Sequence, residues 1–140
     1  MENSSYIISQ IIKFLLPFLI GSLIFFSTVI APNIFKNLDP KNARKFVRII
    51  FPKLYLWSFI ICLSITFLTF TKHLVFGFIL LGISIGFIFS RQYLTKWINE
   101  ISDQPKKTKS HQNKFLVLHT LSVFIFITQI ILLIFIYFKF

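Results

Sequence analysis

Residues 115–138 read FLVLHTLSVFIFITQIILLIFIYF, 24 consecutive positions without Asp, Glu, Lys or Arg. As a helix the stretch is about 36 Å long at 1.5 Å per residue, enough to cross a hydrocarbon layer about 30 Å thick. Within it His119, Ser122, Phe126, Gln129 and Leu133 recur at spacings of 3, 4, 3 and 4. That register puts them on one face, the seam of a left-handed bundle. Hydrocarbon offers no hydrogen-bond partners, so the polar members of the row are expected to face protein.

Three more runs of this kind lie upstream. The spans read at about residues 7–30, 54–71, 74–90 and 115–138, and apart from Lys13 they hold no charged side chain. The chain is 140 residues long and 56% hydrophobic. A soluble domain of that size leaves roughly a third of its potential surface wet, so lipid is the solvent that fits. The expectation is an all-α fold: one transmembrane domain, 1–140, built as an integral membrane four-helix bundle.

Fifteen Lys plus Arg stand against four Asp plus Glu, a formal charge of +11. Their placement decides what the charge means. Lys36, Lys41, Arg44, Lys45, Arg48 and Lys53 lie between spans one and two. Arg91, Lys96, Lys106, Lys107, Lys109 and Lys114 lie between spans three and four. Only Lys13, Lys72 and Lys139 fall on the other side. This is the positive-inside pattern. It predicts long cytoplasmic loops, both termini outside, and anionic headgroups as partners of the basic loops; no nucleic-acid motif accompanies the charge. The location expected is an inner (plasma) membrane. Richness in Ile, Phe, Lys and Asn reads as a bacterial source.

The helices are expected to continue past the bilayer as cytoplasmic amphipathic extensions. Asp39 and Pro40 form an N-cap and first helical residue. Ala43, Phe46, Val47, Ile50, Phe51 and Leu54 then make an apolar stripe with Lys41, Arg44, Lys45 and Arg48 off it, and Pro52 marks the entry into the membrane. Leu94, Trp97, Ile98 and Ile101 extend span three in the same way. The polar stretch 102–113, with Pro105, reads as a linker. Gly21, and Gly82 with Gly86 in GISIG, offer close helix approach. Packing within the bundle is the first reading of these glycines and a homo-oligomer the second.

Polar side chains converge on the basic side. Arg48, Tyr55, Arg91, His119 and Ser122 are candidates to line a pocket open to the cytoplasm, and arginine suits a phosphate or carboxylate. No catalytic set is expected, because Glu2, Asp39, Glu100 and Asp103 all lie outside the spans and no acid orients the His119–Ser122 pair. No metal and no cofactor are expected: His73 falls on the outer side and His111 in the linker, so neither joins His119.

GSLIFFSTVIAPNIFKNL at 21–38, FPKLY at 51–55 and FLVLHTLS at 115–122 resemble the transmembrane protein 205-like family, small four-span membrane proteins catalogued as a domain of unknown function. The resemblance rests on Gly21, Pro32, Phe35, Leu38, Phe51, Pro52, Tyr55, Leu118, His119 and Ser122. It implies a four-span fold in a membrane and carries over no reaction. The function expected is therefore non-enzymatic: binding of a small amphipathic or anionic molecule, or of a partner, at the cytoplasmic face. The alternatives are a haem-linked or redox membrane enzyme using His119, and a structural subunit of a membrane complex.

Overall fold

The computed structural model describes residues 2–105 and 108–140; Lys106 and Lys107, counted above in the third connection, lie outside them. Among the described residues four helices are long and apolar enough to cross a membrane: α1 (Asn3–Asn37), α2 (Pro40–Phe70), α3 (Leu74–Asp103) and α4 (Lys109–Lys139). No strand occurs among these residues, so the fold is all-α, a four-helix bundle as expected.

Two helix starts follow from local chemistry. The Asp39 carboxylate accepts the backbone N–H of Asn42 at 3.2 Å and its side-chain amide at 2.6 Å, with Pro40 at the first helical position. The Asn42 side chain, then its backbone N–H, hold the Asp39 carboxyl below the usual carboxylate range. Thr108 caps α4 by accepting from the His111 N–H at 3.3 Å. With α3 running on to Asp103 and α4 starting at Lys109, residues 102–103 and 109–113 of the polar stretch are helical. The connection between α3 and α4 is thus shorter than the linker expected from composition, because the Thr108 cap starts α4 inside it. His111 completes the turn: it is buried, and its Nε2 bonds the Ile101 carbonyl, which also accepts the Gln104 N–H at the end of α3.

The core is a set of periodic stripes. Ile12, Leu16, Leu19 and Leu23 of α1 recur at i, i+4, i+7 and i+11 and are fully buried. They meet Cys62 and Ile65 of α2, Leu80, Ile83 and Phe87 of α3, and Leu133 and Ile136 of α4. The outer faces stay apolar. The most apolar window of each helix is only 17–33% buried inside the bundle, and Phe14, Phe67, Val75, Phe124 and Phe138 stand exposed. In water such a surface would aggregate; in a bilayer it is the lipid contact.

Between α2 and α3 small polar groups replace apolar packing. The Cys62 thiol donates to the Leu80 carbonyl at 3.6 Å, Thr66 Oγ1 donates to the Cys62 carbonyl at 2.8 Å, and the Thr66 and Ser84 hydroxyls lie 3.4 Å apart. Small side chains let the two backbones approach, which is where membrane helices gain most of their association energy. At the tight turn between them a Cβ on Gly77 would overlap the Phe70 ring. The three glycines singled out in the sequence separate. Gly86 packs on Gln129, whereas Gly21 and Gly82 have no atom within 4 Å of a Cβ built on them. Close approach within the chain therefore holds at Gly86 alone of the three.

Two helices carry a widened turn at one level. α1 is π-helical over Phe26–Ile30 and α3 over Ser90–Leu94. The Ala31 N–H bonds the Phe26 carbonyl and the Thr95 N–H bonds the Ser90 carbonyl, five residues back in each case. Pro32, with no N–H and a ring that crowds the carbonyl four residues back, stands two residues past the end of the first of these turns. Side chains take up neighbouring carbonyls: Thr28 Oγ1 donates to Ile24 at 2.7 Å, Asn33 Nδ2 to Val29 at 2.7 Å and Thr95 Oγ1 to Arg91 at 2.6 Å. Such turns are frequent at functional sites, and here both border one cavity.

Candidate functional site

α4 packs into the bundle through its C-terminal half and touches the end of α3 through His111, and the stretch between is less covered. Gln129, Leu133 and Ile136 are buried, but Phe115, Leu116, Val117 and His119 are exposed. Between these ends the seam opens into a cavity of about 790 Å³ walled by all four helices. Of the five site residues expected from sequence, Arg48, Tyr55, His119 and Ser122 line it. Phe35 and Pro52, expected as structural residues, line it as well. Arg91 does not. It lies within the π-turn of α3, and the α3 wall of the cavity starts one residue past that turn, at Thr95. Arg91 is half-buried, and its Nε is buried without a hydrogen-bond partner among the described residues.

The cavity is graded. Its lining on α4 runs from Phe115 to Ile130, about 22 Å along the helix axis at 1.5 Å per residue. Phe26, Phe126, Ile127 and Ile130 form the deep end. Tyr55 is buried at mid-depth, with Ser122 as its polar neighbour. The His119 ring stacks on Phe115 with centroids 6.0 Å apart and planes within 3°. At the mouth stand Arg44, Arg48, Asn99 and Ser102. The expected Gln129 seam position lies just below the floor: Gln129 is buried and its Nε2 donates to the Ile83 carbonyl at 3.0 Å.

One contact at the mouth is not visible in the sequence pattern. Arg48 Nη2 donates to Asp103 Oδ1 at 2.6 Å and Nη1 to Oδ2 at 3.2 Å, a bidentate pair between α2 and the end of α3. The pair spans 55 residues, and no spacing rule connects the two positions. Arg48 Nε is buried and unpartnered among the described residues. Hydrogen bonding from Arg48, with Arg44 adding its charge, holds the Asp103 carboxyl below the usual carboxylate range. A depressed carboxyl contributes stability above its unfolded-state pKa and loses it as pH falls through the folded value. The distance between spin labels at Lys45→Cys and Lys96→Cys is therefore expected to hold from pH 7 to pH 5. It should broaden only below about pH 4, the ordinary carboxylate value; broadening near pH 6 would mean another group controls the contact.

The arrangement holds no nucleophile–base–acid chain, and no cluster of three or more His, Cys, Asp or Glu side chains occurs among the described residues. What it can do is sequester a molecule that is apolar along most of its length and polar at one end. Residues 14–107 match a family described as a domain of unknown function, DUF4149. The match covers α1 from Phe14 onward, α2 and α3, with Arg48, Tyr55 and Arg91, and stops before His119 and Ser122 on α4. No curated protein and no solved structure matches the chain. With its matched region running over well more than half its length, this four-helix membrane protein belongs to the DUF4149 family.

Proposed function

We propose that the protein is a non-enzymatic binder of a small amphipathic molecule, held between the helices at the basic side of the membrane. One observation carries the reading: the cavity is elongated and apolar at depth, and its cationic groups gather at the mouth. Its volume of about 790 Å³ lies within the range of about 300–1,000 Å³ common for small-molecule sites. The basic loops face the cytoplasm in this reading, with both termini outside an inner membrane, since Lys36, Lys41, Arg44, Lys45 and Lys53 flank the mouth while Lys72 and Lys139 stand at the far end. Anionic headgroups of that leaflet are then the natural neighbours of the mouth. Kinship with the transmembrane protein 205-like family is part of the proposal, supported by the way Phe35, Pro52, Tyr55, His119 and Ser122 of the shared pattern gather on one cavity.

Radiolabelled oleate is expected to bind the detergent-solubilised protein saturably, with one molecule per chain. In intact cells a membrane-impermeant thiol reagent is expected to label Lys72→Cys, in a Cys62→Ser background, and to spare Lys109→Cys. Failure of oleate, oleyl alcohol and lysophosphatidate alike to bind would end the binding reading. Labelling of Lys109→Cys from outside would reverse the orientation.

A further inference from the structure

The Arg48–Asp103 pair stands at the edge of the cavity mouth, which Arg48 and Ser102 line, and its geometry is that of a guanidinium holding an oxyanion by two parallel N–H bonds. Arg48 is itself a lining residue, and Arg44 stands one turn away at the same mouth without a carboxylate partner among the described residues. Asp103 is the exposed member: its side chain is 59% exposed against 29% for Arg48. It sits on the last residue of α3, where the helix ends and the chain turns toward α4. A carboxylate so placed can leave without disturbing buried packing.

We propose that Asp103 is a resident competitor, occupying on Arg48 the position that the anionic headgroup of a long-chain amphiphile takes when it enters the cavity. The inference rests on the binding reading above and names the ligand class within it: a single-chain lipid whose head is a carboxylate or phosphate. The tail lies along α4 toward Phe126 and Ile130. The head exchanges with Asp103 on Arg48, with Arg44 adding a second positive charge. Displacing Asp103 costs the ligand part of its affinity and frees the end of α3, so that loading the cavity is reported at the cytoplasmic surface. The exposed partner and the solvent-facing mouth permit the exchange, because water screens the pair and the entering oxyanion takes over both N–H bonds that Asp103 gives up.

The test is a competition series against radiolabelled oleate on the detergent-solubilised full chain. The competitors are lysophosphatidate, oleyl alcohol (a tail without charge) and inorganic phosphate (a head without tail), and the chains are wild type, Asp103→Asn, Asp103→Glu and Arg48→Gln. Oleate and lysophosphatidate are expected to outcompete oleyl alcohol in the wild type. Asp103→Asn should tighten both anions by roughly two- to fivefold, the worth of a surface ion pair released, and leave oleyl alcohol unchanged. Asp103→Glu should behave as wild type, and Arg48→Gln should bring the anions down to the level of the alcohol. Competition by inorganic phosphate alone would identify a free oxyanion and not a lipid as the ligand, and would overturn the proposal. Anions no tighter than the alcohol, or unmoved by Asp103→Asn, would overturn it while leaving the cavity reading intact. Loss of binding by oleate, lysophosphatidate and oleyl alcohol alike would instead remove the cavity reading itself. The melting temperature of each variant separates these outcomes from misfolding.

Discussion

Gly86→Leu is expected to destabilise the bundle by a few kcal/mol, while Gly82→Leu, four residues away in the same GISIG motif, should leave it standing. A Cβ at position 86 would lie 2.6 Å from Gln129 Nε2. That amide is buried and bonded to the Ile83 carbonyl, and its own Oε1 has no partner among the described residues. The added side chain must push the amide off its one bond in a setting without water. Overpacking of this kind costs about 1–3 kcal/mol, and an orphaned buried amide adds about 1–3 kcal/mol. Position 82 faces open space, and leucine there gains helix propensity of about 0.8 kcal/mol over glycine. Thermal denaturation in mild detergent should thus show a large drop for Gly86→Leu and none for Gly82→Leu. Adding Gln129→Ala to the Gly86→Leu chain should restore part of the loss, since it vacates the contested volume. Equal destabilisation by the two leucines would show that position 82 is covered by a second copy of the chain; a stable Gly86→Leu chain would contradict the packing.

How the fold can be read from residues, and where reading stops, follows the same physics. Uncharged runs as long as 115–138 admit one structure in lipid, so the spans are plain in the sequence. The row His119, Ser122, Phe126, Gln129, Leu133 identifies the inward face of α4, and Gln129 and Leu133 are buried where it predicts. The cavity-facing members Arg48, Tyr55, His119 and Ser122 follow from placing polar groups by depth. What periodicity does not carry is a contact between distant positions. Asp103 sits in a polar stretch whose composition resembles a linker, and only the folded chain brings it to Arg48. His111 reads as a loop histidine until the Ile101 carbonyl is seen to lie within its reach. Arg91 falls inside the π-turn of α3, about one turn short of the cavity wall that starts at Thr95, so placing it by depth alone does not bring it to the wall. Gly82 and Gly86 share a motif and not an environment, because only Gly86 meets the one amide on α4 that needs the space.

Filling the cavity from opposite walls is expected to abolish amphiphile binding without harming the fold. Ala31 lines the α1 wall directly after the π-turn and is half-buried; Val123 lines the α4 wall and is 42% exposed. An indole at either position enters the space assigned to the tail, and neither site belongs to the core cluster that holds the helices together. Ala31→Trp and Val123→Trp should each reduce oleate affinity by at least tenfold, a loss of about 1.4 kcal/mol, with the melting temperature nearly unchanged. Phe124→Trp is the matched control: Phe124 is 67% exposed and lies outside the cavity lining, so its variant should bind as wild type. The pair also discriminates between binding modes. A ligand held only by the cations at the mouth would tolerate both indoles, because Arg44 and Arg48 are untouched. A ligand whose tail lies between α1 and α4 cannot tolerate either, since most of its burial comes from the walls and not from the head. Wild-type oleate affinity in both folded variants would therefore move the site out of the cavity and onto the basic surface.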